Sequence, residues 1–466
     1  MTKREKLVEF LEERYRKRTP RSAKLFKRAQ DVLVRGGSHS VRIFRPYPFF
    51  LRRAGGPFVE DVDGHSYIDY WQGHYANILG HNPVLLREAL EKMGAEGASL
   101  HTGFENEIQI ALAGRLLGLL GWKDHRVRFT TSGTLATMYA VMLAQGRTGR
   151  EFVLKVAGGW HGASPVLLKG VKYGERGFEH GESAGVLPPV LRHTLLTRFN
   201  DPEDLDRILR KKGDKIACFI VEPFLGAGGF LPATRAYLEA ARRLCDRHGT
   251  LLILDEIISG FRFAPTGLQA LYGIEPDLAT FGKAIGGGHA VAAVMGKREI
   301  LECTDGRSAA GRRVMFEGGT FSSHAQYMRA GLAMLGILSG RRRTIYPKLA
   351  ALGEKMRRGI EAAFAAEGIE VRCTGEPGDA IGGSSLYMVN FPLKPHPFDS
   401  AEDVANPALC DVELKEDILK PALMIEGVHV VHGGGAISAA HEAGHIEKTL
   451  EAYAETARLF RKYLRD

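Results

Sequence analysis

The chain runs to 466 residues, 44% hydrophobic and 25% charged, with 63 Lys and Arg against 54 Asp and Glu for a formal net charge of +9. That is the composition of an ordinary globular protein, too long for one compact core, so two or more domains are expected. No apolar run is long enough to span a bilayer, the five cysteines (Cys218, Cys245, Cys303, Cys373, Cys410) never fall in a CxxC spacing, and basic residues interleave with acids. Membrane insertion, a disulfide framework, a metal site and nucleic-acid binding are therefore not expected; a cytoplasmic protein with reduced core thiols is.

Leu7, Phe10, Leu11 and Tyr15 recur at helical spacing amid charges, which predicts an amphipathic helix lying on the body or on a partner chain. Phe58 to Asp69 reads as two strand-like runs around Asp63-Gly64, a hairpin. Short apolar runs then alternate with helical-period segments, as in βαβ units, so the fold class is α/β. The candidate parallel strands are Val127–Thr130, Phe152–Val156, Cys218–Val221, Leu251–Leu254, Leu278–Phe281 and Ala290–Met295. Ligands in such sheets bind beyond the carboxyl ends of the strands, and there the polar motifs of this chain cluster.

After the first candidate strand comes Ser132-Gly133-Thr134, opening a helical stretch from Leu135 to Leu143 closed by Gly146. Backbone N–H groups at such a start favour an anion, although a plain Ser/Thr cap reads the same way. The second strand leads into Trp160-His161-Gly162, where an aromatic between glycines offers a face to another flat ring or simply packs. Glu222 follows the third strand, placed for a ligand or for a structural ion pair. Asp255 emerges from four apolar residues, and a buried carboxylate needs a partner. Lys283 lies 28 residues beyond Asp255 (283 − 255), between Thr280-Phe281-Gly282 and Ala284-Ile285-Gly286-Gly287-Gly288. Apolar neighbours disfavour its ammonium form, as a carbonyl-binding lysine requires, whereas alone it also reads as a surface lysine before a loop.

Pyridoxal 5′-phosphate satisfies these features together. Its phosphate suits the Ser132-Gly133-Thr134 helix start, its ring the space between Trp160 and Ile257, its pyridine nitrogen Asp255, and its aldehyde Lys283.

The ordered set Asp61-Val62-Asp63-Gly64, Leu79-Gly80-His81, Ser132-Gly133-Thr134, Trp160-His161-Gly162, Val221-Glu222-Pro223, Leu254-Asp255-Glu256, Gly282-Lys283-Ala284 and Gly319-Thr320-Phe321-Ser322 resembles the class III aminotransferases. These are fold type I pyridoxal-phosphate enzymes, and the resemblance is nearest to glutamate-1-semialdehyde 2,1-aminomutase-like proteins. It covers roughly residues 30 to 460. It implies a mainly parallel seven-stranded-type sheet in a large domain from 71 to 330, with a smaller α+β domain from 1 to 70 and 331 to 466. It also implies a homodimer with interfacial active sites, in which Thr320 of one chain reaches the cofactor phosphate held by the other. Ser132, Gly133, Thr134, Trp160, His161, Glu222, Asp255, Ile257 and Lys283 are the remaining expected cofactor contacts.

For the substrate, the resemblance brings Arg42 to the place of a carboxylate-binding arginine. His74 replaces the aminomutase tryptophan, and Gly433 replaces the glutamate that pairs with that arginine. These departures favour a ping-pong aminotransferase that takes an amine or a non-α, for example β, amino acid donor and an oxo acid acceptor. The aminomutase reaction is the alternative, and a non-catalytic binding protein on the same fold a distant one.

Overall fold

The computed structural model describes residues 2–95, 101–308 and 313–464. Helix α1 (Lys3–Arg18) opens with a capping box between Thr2 and Glu5 and buries Leu7, Leu11 and Tyr15. It packs on its own chain, against the helices Leu419–Ile425 and Ala443–Leu464. Strands β1 (Leu51–Gly55), β2 (Phe58–Asp61) and β3 (Ser66–Asp69) then form an antiparallel meander. The last two strands are the hairpin expected around Asp63-Gly64.

The large sheet has seven strands: β4 (His125–Thr130), β5 (Phe152–Val156), β6 (Thr194–Thr197), β7 (Ile216–Val221), β8 (Leu251–Glu256), β9 (Leu278–Phe281) and β10 (Ala292–Lys297). Their spatial order is β4-β10-β9-β8-β7-β5-β6. All six residues of β7 are buried, as are residues 252–256 of β8. Continuous apolar runs suit strands covered on both faces.

Two expectations need correction here. The run from Ala290 to Met295, expected to be parallel, is the one strand of the sheet that runs against the others, paired antiparallel with both β9 and β4. A run apolar along its whole length carries no information on direction. The edge strand β6 was not foreseen, because four residues give too little periodicity to stand out. In addition, helix α2 (Gly133–Thr148) continues through Gly146 and ends at Gly149, whose φ of +68° supplies the left-handed cap.

Downstream, α3 (Arg342–Ala366) and the short sheet of β11 (Arg372–Thr374), β12 (Leu386–Asn390) and β14 (Gly434–Ala436) form a second layer, covered by α4 (Ala443–Leu464). Between them, β13 (Val428–His429) adds in parallel to β3, so distant parts of the chain share one sheet. No helix among the described residues is long and apolar enough to cross a membrane. Cys218, Cys245, Cys373 and Cys410 are buried thiols; Cys303 is half-buried, and all five are free.

Candidate active site

The carboxyl ends of β4, β5, β7, β8 and β9 converge on a cavity of about 360 Å³, within the range of small-molecule sites. Ser132, Gly133, Thr134, Trp160, His161, Glu222, Asp255, Ile257 and Lys283, nine residues drawn from five separate segments, all line it.

At one end stands the start of α2. The Ser132 hydroxyl accepts from the Leu135 amide at 3.3 Å, and the remaining first-turn N–H groups have no partner within the helix. Gly162 closes over this start. Its φ is +80°, and a Cβ there would stand 2.4 Å from the Thr134 hydroxyl oxygen. Thr137 ties the same turn to the His161 carbonyl at 2.6 Å.

Asp255 is buried near the end of β8. Its Oδ2 accepts from His161 Nδ1 at 2.7 Å, and its Oδ1 accepts from Thr280 Oγ1 at 3.0 Å and from the Ile257 amide at 3.1 Å. The Thr280 bond follows from register, since Asp255 and Thr280 are directly paired across β8 and β9. Burial lowers the His161 pKa against the pull of Asp255, so the ring is neutral and donates. Its Nε2 is buried without a partner among the described residues. The neighbouring Glu256 faces away, accepting from the Leu268 and Gln269 amides and the Ser259 hydroxyl.

Glu222 accepts from the Trp160 amide at 3.0 Å and the Gly226 amide at 2.9 Å. Burial and the nearby Asp255 push it up to about 8, with those two amides pulling the other way. It thus makes no ion pair with the described residues and serves instead to fix the backbone beneath Trp160.

Lys283 follows β9 in a left-handed conformation, φ +44°, strained for a residue with a side chain. Burial lowers its pKa to about 8, opposed by Asp255 and Glu222. Its amine has no hydrogen-bond partner among the described residues. Pyridoxal 5′-phosphate needs an anion cradle, two faces for a flat ring, a carboxylate for its nitrogen and an uncharged amine for its aldehyde. The donor set fits on each count.

His74 also lines the cavity, beside His39, which the sequence did not single out. The two ring centroids lie 4.9 Å apart, and the His74 ring lies 4.1 Å from that of Trp71, tilted by 48°. Burial, with His39, Arg42, Lys283 and His432 nearby, drops His74 to about 4. The backbone carrying it is unusual: Gln72, Gly73, His74 and Tyr75 have φ of +46°, +61°, +60° and +67° in succession. Each non-glycine in such a turn costs about 1–2 kcal/mol.

Three expected residues stand elsewhere. Arg42 is exposed at the end of the turn Ser40–Arg42 and does not line the cavity, although it is near enough to affect His74. Gly433 does not leave room in the cavity: with φ +73°, a Cβ there would meet Lys415 Cγ at 2.5 Å. Thr320 lies exposed, outside the cavity of its own chain.

The family model of class-III aminotransferases matches residues 41–376. Glutamate-1-semialdehyde 2,1-aminomutase of Methanothermobacter thermautotrophicus is 35% identical over 442 residues, spanning 93% of this chain and 98% of that protein. An omega-transaminase from Sphaerobacter thermophilus has the same fold with a TM-score of 0.83 at 29% identity, covering 94% of this chain and 97% of its own. A beta-phenylalanine aminotransferase from Variovorax paradoxus gives 0.82 at 27%, with 97% of each chain covered. The α/β fold is thus that of the fold type I transaminases. With the family's match running unbroken from ahead of β1 to beyond β11, the chain belongs to the class-III aminotransferases.

Proposed function

We propose that this protein is a pyridoxal 5′-phosphate-dependent aminotransferase that moves an amino group from an amine or a non-α, such as β, amino acid to an oxo acid by a ping-pong mechanism. The observation that carries this reading is the meeting, on one small cavity, of the buried Lys283 amine, whose pKa burial lowers to about 8, with a buried carboxylate fixed by His161 and Thr280.

The cofactor, when bound, supplies an electrophilic carbon and a ring that accepts the electron pair left when a substrate carbon loses its proton. The chain's residues do the rest. The N–H groups at Ser132, Gly133 and Thr134 bind the phosphate, aided by the helix dipole. Trp160 and Ile257, both lining the cavity, would hold the ring. Asp255 holds a proton at the ring nitrogen, and His161, by donating to Oδ2, keeps the carboxylate in place. Lys283 would hold the aldehyde carbon of the bound group through Nζ, and its amine, when free, would move the proton from and to the substrate carbon. Thr320, exposed on its own chain, is assigned to the phosphate of a second protomer in a homodimer.

Transfer between two substrates is favoured over internal amino exchange because glycine stands at 433, where the aminomutase resemblance places the glutamate that pairs with Arg42, and Arg42, exposed beside the cavity, has no carboxylate partner among the described residues. That leaves its guanidinium available to a substrate carboxylate. The 35% identity to an aminomutase supports the second reading, conversion of glutamate-1-semialdehyde to 5-aminolevulinate. A donor panel separates them. Transamination requires that a donor alone bleach the visible absorbance of the bound cofactor and that an oxo acid restore it. Turnover of glutamate-1-semialdehyde with no acceptor, and no bleaching by β-amino acids or amines, would overturn it.

A further inference from the structure

A left-handed turn with three side-chain-bearing residues does not hold itself, so something outside Gln72–Tyr75 must fix it. Asp69 does so at the leading end. Its Oδ1 accepts from the Trp71 amide at 3.1 Å and its Oδ2 from the Gln72 amide at 2.8 Å, while the Gln72 side chain donates back to the Asp69 carbonyl at 2.7 Å. At the trailing end, the buried Arg262 guanidinium donates to the Tyr75 carbonyl.

Asp69 is itself pinned from two further directions. His81 Nε2 lies 2.8 Å from Oδ2, and His429 Nδ1, on β13, lies 2.7 Å from Oδ1. Burial alone would raise the Asp69 pKa, yet the two histidine bonds hold it well below the usual carboxylate range. Four donors thus take up the accepting positions of one buried carboxylate. Only Gly73 in the turn adopts its backbone without strain, and the residue next to it, His74, is the one that reaches the cavity.

We propose that Asp69 is a positioning residue that, through the strained turn it clamps, sets where His74 stands in the cavity and hence which amine donors the site accepts. This rests on the aminotransferase reading for its consequence, but not for its geometry. Asp69 does not line the cavity and acts only through His74.

The test uses the holoenzyme and its Asp69→Asn variant, which preserves shape but turns an amide N–H₂ toward one of its four donors. Histidine-labelled protein is titrated by NMR, with His74 assigned by its absence in His74→Ala. In the native enzyme His74 is expected to stay neutral down to about pH 5, in keeping with burial and with His39, Arg42, Lys283 and His432 around it. In Asp69→Asn its midpoint is expected to rise by about one pH unit or more.

In parallel, kcat/KM is measured with whichever donor bleaches the cofactor fastest. Asp69→Asn should lower it about 10-fold, mainly through KM, and by less than about 2-fold in the His74→Ala background. An unchanged His74 titration, or an equal loss in both backgrounds, would overturn the proposal. Should Asp69→Asn not fold, His429→Gln is carried through both measurements with the same two criteria. If no donor bleaches the cofactor, the aminotransferase reading fails while the titration still decides the clamp.

Discussion

His161 and Asp255, 94 residues apart in sequence, meet at 2.7 Å, and this bond joins the aromatic loop after β5 to the carboxylate at the end of β8. His161 Nδ1 is committed to Asp255 Oδ2, and with Thr280 and the Ile257 amide it fixes the carboxylate at the cavity. Asp255→Asn replaces the carboxylate by an amide while preserving size and one acceptor. Cofactor should still bind, and kcat should fall by at least about 100-fold. A kcat within a few-fold of native would remove Asp255 from the mechanism. Thr280→Val, which deletes one hydrogen bond to a buried carboxylate, should cost about 1.5–3 kcal/mol of stability, measured by denaturant unfolding.

The lowered pKa of Lys283 predicts how capture of added pyridoxal 5′-phosphate by the apoprotein varies with pH. The folded-state value of about 8 lies below the ordinary 10.5, so the neutral amine is favoured in the folded protein. At pH 7 about one molecule in ten carries it, against well under one in a thousand for a free lysine. The capture rate should rise about tenfold per pH unit below 8 and level off above it. A rate still climbing between pH 9 and 10 would show an unperturbed lysine.

Arg42→Ala should raise KM for carboxylate-bearing donors about 10-fold or more while leaving simple amines within about 2-fold. Equal effects on both classes would take Arg42 out of substrate binding.

Gly433→Ala separates a backbone role from a substrate role. With φ +73° and Lys415 Cγ 2.5 Å from the new Cβ, the substitution should cost about 1–3 kcal/mol of stability and leave donor KM unchanged. A changed donor preference with unaltered thermal unfolding would restore Gly433 to the substrate pocket.

The residues legible in sequence are those whose role is local. Ser132-Gly133-Thr134, Asp255 and Lys283 each sit where an apolar run meets a polar or glycine-rich segment, and strand ends are where such sheets bind ligands. Thr280 escaped notice because its bond to Asp255 depends on the register between two strands, which no spacing encodes. His39 meets the site through its contact with His74, and Asp69 acts on a turn whose left-handed backbone only one glycine announces. The crowding at Gly433 was hidden for the same kind of reason: aligned position locates a residue along the chain, while its backbone angles decide which way a side chain there would point. The direction of β10 was hidden because a buried strand looks alike from either end.

Covalent anchoring at Lys283 is tested most directly by Lys283→Ala, compared with the native protein after saturation with pyridoxal 5′-phosphate. The variant is expected to lose the visible absorbance of the lysine-bound cofactor and to lower kcat by at least about 1,000-fold, while still binding the cofactor through the α2 start and Asp255. Native-like absorbance together with turnover within about 10-fold of native would contradict it.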